Sequence, residues 1–179
     1  MLYAFGFERV GVLVSDMYIV IPKPLPGQEG AERGVRLEVR LLERGELRGS
    51  IYSARPIEVG QPVWRADLLE AVDGPAGSLN RAHHHPAFRG WEPGERVFDA
   101  GLTASPLRWV GDQLADIEGL LERAGVAADE VTAADAESLR GVVPEIMDTV
   151  GRLLERVRIG GLASAPGDEP LASARVGWL

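Results

Sequence analysis

The sequence predicts an α+β fold: an antiparallel curved sheet or partial barrel of six to eight strands, followed by two or three C-terminal helices packed on one face. Three observations carry this. The first hundred residues show period-two alternation broken by closely spaced turn signals, with no helical stretch between them. After Asp99 the apolar period changes to that of a helix. The 179-residue length and 45% hydrophobic content fit one domain that can bury a core without a covalent staple. Residues 1–159 are expected to form that domain, 1–100 mainly β and 101–159 helical, with 160–179 as a tail.

Leu2 to Phe7 places Tyr3, Phe5 and Phe7 on one face. Val10–Val14 and Tyr18–Ile21 read as two short strands divided by the turn-type pair Ser15-Asp16. Pro22, Pro24 and Pro26 stop the ladder, and Gly27–Gly34 reads as a polar loop. In Val35–Arg44 the residues Val35, Leu37, Val39 and Leu41 alternate with Arg36, Glu38 and Arg40, giving one buried and one wet face. Gly45-Glu46 then predicts a hairpin into Leu47–Ser53. Further strands are expected at Pro56–Val59, Pro62–Val72, Leu79–His85 and Arg96–Asp99.

Ser105 is placed to cap a helix that has Pro106 at its first position and carries the stripe Leu107, Val110, Leu114, Ile117 and Leu121. Gly125 suits its C-terminal end. A second helical region begins near Thr132 or Asp135, with a kink or fresh start expected at Pro144, and continues through Ile146, Val150, Leu153 and Val157 to about Arg158. The Gly-, Ala- and Pro-rich stretch from Gly160 ends in Val176-Gly177-Trp178-Leu179, a segment with one large side chain able to anchor it. These helices or this tail are the expected means of any homodimerisation.

Charge and composition exclude several functions. The net charge of −8 and pI near 4.9 argue against nonspecific nucleic-acid binding, which needs clustered cations. Arg36, Arg40, Arg44 and Arg48 form a basic strip, but Glu38, Glu43 and Glu46 interrupt it. No cysteine is present, so disulfides, thiolate metal sites and cysteine nucleophiles are excluded. No apolar run reaches the roughly 20 residues of a membrane helix, which sets a cytoplasmic expectation without a membrane partner. Walker, G-x-G-x-x-G, G-x-S-x-G and H-E-x-x-H motifs are absent.

All three histidines are contiguous, in Arg81-Ala82-His83-His84-His85-Pro86. On a strand, His83 and His85 share a face about 6.5–7 Å apart and His84 takes the other. Two such imidazoles and a carboxylate can hold one divalent metal such as zinc, iron or manganese. Candidate carboxylates are Asp67 and Glu70 before the histidines, and Glu92, Glu95 and Asp99 after them. His83 and His85 with Asp67 are the candidate metal ligands; the same three with Glu92 are the candidate catalytic acid–base groups. Arg65 and Asp67 are placed on one strand face as an ion pair.

Gly77, five residues, His83, one residue and His85 resemble the opening of the first cupin motif. That resemblance implies a metal held by His83 and His85. The carboxylate of the motif would fall where Arg89 and Gly90 stand, and no histidine follows His85 to supply a second motif. Two functions therefore stand at this point. One is a non-catalytic binding or assembly module. The other is a metal- or His-dependent enzyme of the hydrolase kind, with its site at His83–His85.

Overall fold

Alternation along the strands sorts apolar side chains onto one face of a sheet and charged ones onto the other. The computed structural model describes residues 1–20, 23, 24, 26, 29–45 and 57–161. Five strands, β1 (Leu2–Gly6), β2 (Val10–Val20), β3 (Ala31–Arg44), β4 (Ile57–Ala71) and β5 (His83–His85), form one antiparallel meander in chain order. The sheet stays open, with β1 and β5 as its edges, and does not close into the partial barrel the sequence allowed. A small hairpin, β6 (Phe88–Arg89) and β7 (Glu92–Pro93), follows β5.

Val10, Val12 and Val14 of β2, Val35, Leu37 and Val39 of β3, and Trp64, Ala66 and Leu68 of β4 share the apolar face. Against them pack α1 (Ala100–Ala104), α2 (Pro106–Ala115), α3 (Ile117–Arg123) and the long α4 (Ala133–Arg158). Leu102, Val110, Leu114, Ile117, Leu121, Leu139, Ile146, Val150, Leu153 and Val157 are buried in the same core. Burying each large side chain contributes about 1.5–3 kcal/mol, so this layer is the main source of stability.

Two buried carboxylates fasten helices to sheet. Asp16 of β2 pairs with Arg156 near the end of α4 at 2.7 Å and with the chain's amino terminus. Asp135, in the first turn of α4, accepts from the backbone amides of Glu8 and Arg9 at 2.7 and 2.8 Å. Thr132 caps α4 by accepting from the Asp135 amide.

Several elements differ from the expectations. Ser15-Asp16 is no turn: β2 runs through it, because both residues pair with β3, opposite Arg36 and Val35. Gly60 does not divide β4; a register irregularity between Val39 and Leu42 absorbs it instead. The strand of the histidines is only His83–His85. Leu79 sits at φ 45°, and the Ala71 amide donates to Asn80 Oδ1, so residues 72–82 form a connection rather than strand. Arg96–Asp99 contributes a single bridge, Val97 to His84.

The Leu107–Leu121 stripe breaks at Asp116 into α2 and α3, and Leu107 is 42% exposed. Pro144 lies inside an unbroken α4. It is exposed, as is Arg140, whose carbonyl loses its helical donor on the side of the helix that faces solvent, and the helix continues through it. The strand expected at Leu47–Ser53 and the anchor at Trp178 lie outside the described residues.

Candidate metal centre

Strand register builds the site on the charged face of the sheet. Ser15, Arg36, Asp67 and His83 form one row across β2–β5, and Leu13, Glu38, Arg65 and His85 form the next. Alternation turns His84 to the opposite face, where its ring lies 4.8 Å from that of Trp109 and 6.3 Å from that of Trp64. His83 and His85 point together, with ring centroids 5.1 Å apart.

Each imidazole is held by its Nδ1. His83 Nδ1 lies 2.8 Å from the Arg81 carbonyl, and His85 Nδ1 lies 2.9 Å from the Gly94 carbonyl. A carbonyl only accepts, so each ring donates from Nδ1, and His85 Nε2, which faces the Arg65 guanidinium, carries a lone pair. Both Nε2 atoms converge on one oxygen: Asp67 Oδ2 is 3.4 Å from His83 Nε2 and 3.7 Å from His85 Nε2. Asp67, His83 and His85 are nearly inaccessible, and their ligand atoms lie within 4.8 Å of one another. Among the described residues no group hydrogen-bonds the buried His83 Nε2 with good geometry. Two donors about 2.0–2.1 Å from a tetrahedral ion stand about 3.4 Å apart, so this spacing suits a single ion.

Arginines surround the carboxylate. Arg36 donates to Asp67 from Nε at 2.6 Å and from Nη2 at 3.3 Å. Arg65 Nε stands 3.0 Å from Asp67 Oδ2 without the alignment of a hydrogen bond, and Arg65 Nη2 lies 3.0 Å from His85 Nε2. Glu38 accepts from Arg40, with Arg65 Nη1 3.9 Å away. Burial alone would push the Asp67 carboxyl up; the His83 imidazole and the Arg36 and Arg65 guanidiniums outweigh it and hold it well below the usual carboxylate range. Burial pushes the His85 imidazole down to about 4, against its contact with the Gly94 carbonyl, so it is neutral at pH 7. Burial also lowers Arg65.

The segment after β5 folds over this face. The Phe88 ring lies 5.5 Å from the Arg65 guanidinium carbon, the Trp91 ring 5.5 Å from that of Arg40, and the Phe98 ring 5.5 Å from the His83 ring.

The other candidate carboxylates lie elsewhere. Glu92 is exposed on β7 and does not join the histidines, because the hairpin presents Gly94 to His85 instead. Glu70 pairs with Arg33 and accepts from the Gly77 amide on the other face, and Asp99 caps α1. The described part of the basic strip is spent in ion pairs, Arg36 with Asp67, Arg40 with Glu38 and Arg44 with Glu8, while Arg48 lies outside the described residues. Arg36 and Glu38 belong to the site, which sequence reasoning did not connect to the histidines. Their alternation on β3 was visible, but only the register places them beside His83 and His85. Among the described residues no helix is long and apolar enough to cross a membrane. No protein-family model, curated protein or solved structure matches this chain.

Proposed function

We propose that this protein binds one divalent transition-metal ion through Asp67, His83 and His85, and that the bound ion serves hydrolytic chemistry. The convergence of two Nδ1-anchored imidazoles on one buried carboxylate oxygen carries this reading. Hydrogen bonding of the far ring nitrogen is how ligating histidines are oriented and their tautomer fixed. Three protein ligands leave a coordination position for water or substrate, which suits an active metal more than a closed structural one. Nitrogen and oxygen donors without thiolate suit zinc, iron(II) or manganese.

A second reading has its own observation. Arg65 Nη2 lies 3.0 Å from the lone pair of His85, so without an ion the cluster is a charge network that fastens residues 86–97 to the sheet. In that reading the protein is a binding or assembly module and the histidines are structural.

Elemental analysis of untagged protein, followed by cobalt(II) titration monitored by visible absorption, separates the two. The metal reading expects one ion per chain with the intense d–d bands of a low-coordinate site, lost in His83→Gln. Absence of both metal and cobalt bands supports the charge network and overturns the metal reading.

A further inference from the structure

We propose that the site takes its metal together with an oxyanion, a phosphate or carboxylate group, and that Arg65 holds that anion. This rests on the metal reading above. Three guanidiniums, those of Arg36, Arg40 and Arg65, meet two carboxylates, those of Asp67 and Glu38. With the imidazoles neutral, as ligation requires, that cluster is already one charge positive, and a divalent ion makes it three. Excess charge with little access to water is costly unless a counter-charge joins it. Arg65 is only 12% exposed and Asp67 1%.

The geometry assigns the counter-charge to Arg65. An ion bound by His85 Nε2 takes the lone pair that now faces Arg65 Nη2 at 3.0 Å. The same ion takes Asp67 Oδ2, the oxygen 3.0 Å from Arg65 Nε. Arg65 thus loses both neighbours at once. Among the described residues its remaining acceptor, Glu38, already receives Nε and Nη2 of Arg40 and stands 3.9 Å away. Phe88 lies over the guanidinium at 5.5 Å and restrains it beside the ion instead of letting it swing into water. A guanidinium fork next to a metal, with its acceptors withdrawn, fits two oxygens of one anion.

Metal and anion must then bind cooperatively, each tightening the other by the same factor. The test is cobalt(II) affinity of the full chain in chloride buffer, with and without inorganic phosphate, and again with acetate. Phosphate is expected to tighten cobalt binding about tenfold or more. Phosphate complexes free cobalt and so weakens apparent affinity on its own, which makes any tightening a property of the protein. Acetate tightening in place of phosphate identifies a carboxylate ligand.

Arg65→Gln should keep cobalt binding and lose the anion effect; if it does not fold, Arg65→Lys keeps the charge without the fork and should show a reduced effect. Cobalt affinity unchanged by either anion overturns the inference and leaves the metal site standing. An undiminished effect in the Arg65 variants overturns the assignment to Arg65. Failure to bind cobalt in any buffer removes the metal reading, and this inference with it.

Discussion

His83 Nε2 lies 3.4 Å from Asp67 Oδ2, while the far ring nitrogen, Nδ1, donates to the Arg81 carbonyl. A buried carboxylate and an imidazole nitrogen this close need positive charge beside them, a proton or a cation, to offset burial of the carboxylate. The arginines supply part of that charge now; a metal ion would supply the rest.

Substitutions at these two residues should therefore have different consequences. Asp67→Asn leaves Arg36 and Arg65 without their buried counter-charge and should cost about 3–5 kcal/mol in urea denaturation. His83→Gln loses the hydrogen bond to the Arg81 carbonyl and should cost about 1 kcal/mol in metal-free protein. Equal costs would show that His83 is chiefly structural.

The metal-free protein should weaken in mild acid. The His85 imidazole falls from its ordinary 6.5 to about 4 on folding, so the unfolded chain binds the extra proton between those values. Its contribution to stability is complete above pH 6.5 and is lost as pH falls through 6.5 toward 4. The depressed Asp67 carboxyl adds a further loss below its ordinary 3.8. Urea midpoints should decline from pH 7.5 to 4.5, and the decline should be shallower in His85→Gln. Equal midpoints at both pH values would contradict this.

Asp135→Ala should destabilise by about 2–4 kcal/mol, because the Glu8 and Arg9 amides lose charged acceptors at 2.7 and 2.8 Å. A loss below about 0.5 kcal/mol would show that water replaces the carboxylate there.

Gly34 is required by close approach. A Cβ built on it would lie 2.1 Å from the Leu68 carbonyl oxygen on the neighbouring strand. Gly34→Ala should cost at least about 2 kcal/mol and loosen the pairing that places Asp67 opposite Arg36. An unchanged melting temperature would exclude that clash.

Pro144→Ala should stabilise the protein by about 1–3 kcal/mol, since an exposed helix interior gains a donor for the Arg140 carbonyl. Lower stability would mean that the proline's restriction of the unfolded chain matters more.

Period and chemistry made much of this molecule legible. Alternation in Val35–Arg44 separated core from charged face, and three consecutive histidines on a strand implied that the first and third share a side. Asp67 could be named among the candidate ligands because it precedes the histidines on a neighbouring strand, but the sequence offered Glu70 equally and only the register, Asp67 opposite His83, chose between them. The sequence could not show strand length where pairing overrides local turn signals, as at Ser15-Asp16. Nor could it show that Leu79 would adopt a left-handed conformation and shorten the histidine strand. Arg36 and Glu38 entered the site through register, a long-range property that no local pattern encodes. Pro144 misled because packing of the rest of α4 outweighs the cost of a proline on a solvent-facing turn.

The most direct measurement is an anomalous difference map from crystals grown or soaked with zinc. A single strong peak about 2.0–2.2 Å from Asp67 Oδ2, His83 Nε2 and His85 Nε2, with Arg65 turned away from His85, is the expected result. A map without that peak at saturating zinc, with Arg65 still against His85, would contradict the metal site.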